Sequence, residues 1–176
     1  MASLSNLIAR GKIIFLSGPY GTEIAERVGK DIIERPQKAT GVPTFMYLGS
    51  GCSALFTPQG QVYVREVATD YLSSVPSDQP LVLVTDSFRL AKQALEAAAT
   101  VRGVDPHLPS MGLELCLDSV NLATSVVKEY KRSMDNTAIA MSIGTPFDCY
   151  TGEATPSDID NKYLPQFLLL FVLDMH

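Results

Sequence analysis

The residues of this chain whose types and positions suit chemistry stand directly after apolar runs. Ser17, Gly18 and Glu23 belong to Ser17-Gly-Pro-Tyr-Gly-Thr-Glu23, which follows the apolar stretch 12–16 (KIIFL). A Gly-rich turn entering a helix presents backbone N–H groups that can hold an anion. With no Lys or Arg beside it, the same run also reads as a tight strand-to-helix connection. Asp86 follows a second apolar stretch, 81–85 (LVLVT), at the end of a strand where α/β enzymes keep ligand-facing groups. Because Asp86-Ser87 also precedes a helical pattern, N-capping is its alternative role. Ser142 lies in a third such stretch, 137–143 (TAIAMSI), closed by Gly144 and Pro146.

Other chemistry-bearing residues are less well placed. Gly49-Ser-Gly51-Cys-Ser-Ala54 matches a GxGxxA dinucleotide fingerprint, but Pro58 and Gly60 are expected to leave no room for the helix that this motif requires. Asp148, Glu153, Asp158 and Asp160 form an acidic stretch explained by solvation and by the dipole of a following helix. His107 sits between prolines and His176 is the last residue, so neither stands beside a nucleophile or a second ligand. Cys52, Cys116 and Cys149 are widely spaced without a CxxC pair, which argues against a disulfide framework and a zinc knuckle. No catalytic or metal-ligating set is therefore expected from this chain alone.

The elements that would position these residues follow from periodicity. Residues 12–16, 81–85 and 137–143 read as buried strands. A short helix over 21–28 follows the first, and the Pro-interrupted stretch 29–58 reads as irregular, with 44–48 its one strand-like piece. Val64, Val67, Ala68, Tyr71, Leu72 and Val75 recur at helical spacing, which predicts an amphipathic helix over 61–75. Ala- and Leu-rich 89–102 predicts another. A third, over 112–134, is expected to carry Leu113, Cys116, Val120, Ala123, Val127 and Tyr130 on one face. Thr155, Pro156 and Asp158 look like the start of a last helix, divided at Pro165. Apolar strands alternating with amphipathic helices predict an α/β fold with parallel strands.

Composition narrows the function classes. The chain has 176 residues, 46% of them hydrophobic, enough for one core and one domain. A net charge of −5 without a basic stripe argues against nucleic acid as a partner. No apolar run approaches the roughly 18 residues of a membrane span; the longest is Phe167 to Leu173. Residues 1–12 carry Arg10 and Lys12 without an acid and faintly resemble an organelle transit segment. The expected location is a reducing intracellular compartment, cytoplasmic or alternatively an organellar matrix.

Taken together, colinear segments resemble the homocysteine S-methyltransferase family, whose catalytic domain is a zinc-dependent (β/α)₈ barrel. Ser17-Gly-Pro-Tyr-Gly-Thr-Glu23 resembles its opening DGxxGTE turn, and Gly51-Cys-Ser-Ala-Leu55 its W-S-A stretch. Thr69-Asp-Tyr-Leu72 is similar to the H-x-DYL helix, and Val84-Thr-Asp-Ser-Phe88 to the second-strand T-N-T-Y motif. Gln93-Ala-Leu-Glu96 fits the helix after that strand. Ser142-Ile-Gly-Thr-Pro146 and Tyr150-Thr-Gly152 are similar to the third-strand S-I-G-P motif and its downstream Y-T-G. The resemblance implies a partial barrel: a single truncated domain over 1–176 with about three parallel strands and flanking helices, since a closed barrel needs about 250 residues.

The resemblance also implies a vestigial substrate pocket lined by Ser17, Gly18, Glu23, Asp86 and Ser142. Ser17 replaces the family's aspartate and Asp86 its asparagine, and an ionised carboxylate repels a substrate carboxylate and donates no hydrogen bond. The family's zinc is held by cysteines near strands six and eight, which this chain does not contain, so zinc is expected only from a partner chain. The expected function is thus a non-catalytic, methyltransferase-like structural or interaction subunit of a larger assembly. A protein partner or a second copy would cover the open strand edge and the Phe167 to Leu173 segment. Two alternatives are a half-barrel methyltransferase completed by a zinc-bearing chain and a small α/β protein binding an anion or nucleotide.

Overall fold

Apolar spacing at three and four residues makes the helices, and short β-branched runs make the strands between them. The computed structural model describes residues 2–18, 20–40, 55, 57–87 and 112–142. Their elements in chain order are α1 (Leu4–Ala9), β1 (Phe15–Leu16), α2 (Tyr20–Glu34), α3 (Pro36–Ala39), α4 (Pro58–Ser74), β2 (Leu81–Val84), α5 (Gly112–Glu129) and β3 (Thr137–Ala140). The strands form one parallel sheet in the order β1-β2-β3. Phe15 stands opposite Leu81, and Leu81 to Val84 stand opposite Thr137 to Ala140. The fold is α/β, a three-stranded parallel sheet with flanking helices. Its spatial order repeats the chain order, as in an arc of a (β/α) barrel or in one half of a doubly wound sheet.

The two faces of the sheet differ in cover. Leu81 and Leu83 enter a large core with Tyr20, Ile24 and Val28 of α2, Tyr63, Val64 and Val67 of α4, and Leu122 and Val126 of α5. On the other face Val82 and Ala138 meet Leu7 of α1, with Ile14 and Ala140 around them. Ser3 caps α1 by accepting from the Asn6 N–H at 3.2 Å, and the Ala2 N–H donates to Met134 O at 2.7 Å, which anchors the start of the chain beside β3.

Arg132 locks the end of the sheet at which β2 and β3 begin. α5 ends where Lys131 takes a left-handed φ of 57°, with the Arg132 N–H bonded to Val127 O and the Lys131 N–H to Lys128 O, a Schellman closure. That turn sends the Arg132 side chain inward. Its guanidinium donates to Val75 O at 2.8 Å, Pro76 O at 3.0 Å, Gln79 O at 2.7 Å and Thr137 Oγ1 at 3.2 Å, tying the α4–β2 connection to the start of β3. Three carbonyls and a hydroxyl thus solvate its charge, and burial pulls its pKa down against the opposing effect of Tyr130 and Asp78.

Several elements differ from the sequence expectation. The first strand is two residues rather than 12–16, and it is not buried: Ile13 is 76% and Leu16 70% exposed. As the outermost strand of the described sheet, β1 has a neighbour on one side only, so its apolar residues lack cover. α2 runs to Glu34 rather than Val28, and α3 follows, so the start of the stretch read as irregular is helical. The helical stripe Tyr20, Ile24, Val28, Asp31 contains a buried acid, and that polar residue hid the periodicity.

Pro58 opens a helix instead of preventing one. It occupies the first turn of α4, where its missing N–H costs nothing, and Thr57 caps the helix by accepting from the Gly60 N–H at 3.0 Å. α5 ends at Glu129 rather than 134, and its buried stripe is Leu115, Ser119, Leu122, Val126 with Ala123 and Val127, leaving Tyr130 exposed. Buried Ser119 interrupts that stripe, which shifted the expected face. The strand-like 44–48, the GxGxxA run 49–54, the 89–102 helix, both histidines, Cys52, Cys149, the 155 helix and Phe167 to Leu173 lie outside the described residues.

Candidate functional site

Side-chain oxygens continue the sheet ladder where the three backbones leave it. The Ser17 N–H donates to Val82 O at 3.0 Å, and the Val84 N–H then donates at 2.8 Å to Ser17 Oγ, the side chain standing in as the acceptor where β1 turns away. Between β2 and β3 the Thr85 N–H donates to Ala140 O at 2.9 Å, and the next donor, the Ser142 N–H, reaches Thr85 Oγ1 at 3.1 Å. Ser87 Oγ donates to Ser142 O at 2.7 Å and lies 2.7 Å from Thr85 Oγ1. The hydrogens therefore run in one direction, from Ser142 N–H to Thr85, Ser87 and back to Ser142 O. These hydroxyls are committed to holding strand ends together.

Asp86 lies between Thr85 and Ser87 in the chain. It follows the central strand, is 6% exposed, and its Oδ2 has no hydrogen-bond partner among the described residues. Burial pushes its carboxyl up to about 7. The Tyr20 phenol is pushed far above its ordinary range, first by burial, then by the Asp86 charge and by Tyr71. Tyr20 and Tyr71 meet edge to face with centroids 5.4 Å apart. Gly18 gives Tyr71 its space: a Cβ at that position would lie 3.0 Å from the Tyr71 hydroxyl.

Of the five residues expected in a pocket, the structure brings Ser17, Gly18, Asp86 and Ser142 to the carboxyl ends of the strands. Ser142 enters through its backbone groups, and Ser17 through a structural hydrogen bond. Glu23 lies further along α2 and pairs with Arg27 at 3.8 Å, while Arg27 also holds Asp70 at 2.6 Å. Glu23 is thus part of an outer ion-pair set. Tyr20, Thr85 and Ser87 were missed by the sequence reading; the available signal was Tyr20 on the Ile24–Val28 stripe and an unbroken polar run, Thr85 to Ser87, after an apolar strand.

Chemically, the cluster offers a neutral or weakly acidic carboxyl beside two phenols, with no nucleophile–base pair among the described residues. Cys116 is partly buried, and burial pushes its thiol up to about 11, so it stays protonated and unreactive. Among the described residues no three His, Cys, Asp or Glu side chains converge to hold a metal ion. Among the described residues there is no donor set for the zinc that the resemblance implies. Comparison of the chain with protein-family models, curated proteins and solved structures gives no match.

Proposed function

We propose that this chain is a homocysteine S-methyltransferase-like domain without catalysis of its own, acting as a structural or interaction subunit that associates through its open sheet. The observation that carries this reading is the exposure of the apolar residues at β1, with Ile13 at 76% and Leu16 at 70%. Parallel sheets are stable when both faces are covered, and clustered exposed apolar residues mark contact surfaces. The Phe15 and Ser17 N–H groups bond to β2, so by strand alternation the backbone groups of Ile14 and Leu16 face outward, a free edge among the described residues. A partner polypeptide or a second copy, able to offer a strand or an apolar face, supplies what this edge lacks. The test is the native mass of the isolated chain: association that Ile13→Lys with Leu16→Lys abolishes supports the reading, and an untroubled monomer overturns it.

A second reading is favoured by one observation, the gathering of Ser17, Gly18, Asp86 and Ser142 at the end of the sheet where barrel enzymes bind substrate. In this reading the chain is half of a methyltransferase acting on homocysteine, completed by a zinc-bearing partner. Ser17→Asp with Asp86→Asn would then create homocysteine affinity, read as a rise in melting temperature on adding homocysteine. No shift in the double variant, alone or with co-purified partner, removes it.

A further inference from the structure

Part of the apolar row that begins at β1 already has an occupant, α1. Side chains alternate along a strand and neighbours in register share one side of the sheet, so Leu16, opposite Val82, lies on the side that α1 covers. There Val82 and Ala138 are buried under Leu7, which is itself fully buried, with Ala2, Ile14 and Ala140 around them. Leu16 is exposed beside them. The hold of α1 on this row is slight. Leu7 is its one buried side chain, while Leu4 and Ile8 are exposed. Among the described residues two hydrogen bonds tie the segment to the rest of the fold: the Ala2 N–H to Met134 O and Arg10 Nη1 to Asn136 Oδ1, each at 2.7 Å, the second of them at the surface. A helix of 6 residues is too short to persist in water without packing. After it the chain turns at Gly11, whose left-handed φ of 63° is set in open space. The large core on the other side of the sheet contains no residue of α1, so α1 can leave without opening that core.

We propose that α1 is a detachable strap: docked, it lays Leu7 over Val82 and Ala138, and released, it extends the open row from Leu16 across β2 to β3. The proposal rests on the reading of the open sheet as the association surface and adds its control, since the strap and an associating chain compete for the same row. A surface open for only a fraction of the time binds with its affinity reduced by that fraction.

Hydrogen exchange of the wild-type chain tests the strap without any variant. Corrected for intrinsic rates, the Leu7, Arg10 and Gly11 amides, bonded within the strap, should exchange at least about 100-fold faster than the Leu81 and Thr85 amides between β2 and β3. Exchange of both sets in one cooperative opening overturns the proposal. Control of association is read by light scattering on a concentration series of the full chain. Arg10→Ala, which removes only an exposed hydrogen bond, and Leu7→Ala should both speed α1 exchange and lower the concentration of half-association, Leu7→Ala by about tenfold or more. Faster α1 exchange with unchanged or weakened association overturns the strap's control and leaves the association reading standing. Wild type and both variants monomeric throughout overturn the two together.

Discussion

At the residue scale, two buried acids behave in opposite ways because their surroundings differ. Asp31 is fully covered, yet burial, which alone would raise its carboxyl, is outweighed by hydrogen bonds from Tyr63, Arg35 and Lys38, so its pKa is lowered. The Tyr63 hydroxyl donates at 2.9 Å, Arg35 reaches it at 2.6 Å and Lys38 at 3.2 Å, and the Lys38 ammonium also lies over the Tyr63 ring. The cover is thin, since the Arg35 side chain is itself 60% exposed. This set fastens α3 and α2 to α4, and Lys38 extends it to Glu66 at 2.8 Å. Asp31→Asn should cost about 1–2 kcal/mol at pH 7, the scale of a lost charge-assisted hydrogen bond. A depressed carboxylate stabilises above its unfolded value of about 4 and loses that contribution as the pH falls through the lower folded value. Melts of the variant and the wild type should therefore draw together progressively as the pH falls below about 4. Asp86 is shifted the other way, since burial acts on it while its Oδ2 has no hydrogen-bond partner among the described residues.

At the element scale, helix lengths and faces record how far the sequence can be read. The core of α4 was legible because Val64, Val67, Ala68 and Leu72 form an unbroken apolar stripe, and all four are buried. The central strand was legible for the same reason. The ends of α2 and the face of α5 were not, because Asp31 and Ser119 occupy core positions with partners supplied from elsewhere in the chain or from one turn back. No local pattern announces such a partner. Arg132 is the extreme case, a charged residue in a loop that turns out to organise the fold. Arg132→Met would leave the carbonyls of Val75 and Gln79 without the guanidinium donor and Pro76 O with the Gln79 N–H alone, and should lower unfolding free energy by about 2–4 kcal/mol in chemical denaturation. An effect below about 0.5 kcal/mol, typical of a surface change, would show that water replaces the guanidinium readily.

At the scale of the whole molecule, parallel topology and sequential strand order were legible from the alternation of apolar runs and amphipathic helices. The candidate site was legible only as a location: the strand ends were named correctly, but their hydroxyls prove to be engaged in holding the sheet. An open strand edge was expected from the sequence, but not that the exposed apolar residues would be those of the first strand, because burial of an apolar run is assumed when it is read as a strand. Ile13, Phe15 and Leu16 have the composition of an inner strand and the exposure of an edge. Among the described residues no helix is long and apolar enough to cross a membrane. We propose that association with another polypeptide covers that surface. Light scattering on the isolated chain at micromolar concentration tests it most directly. Association or polydispersity that disappears in the Ile13→Lys, Leu16→Lys variant is the predicted result, and a monodisperse wild-type monomer with a sharp cooperative melt would contradict it.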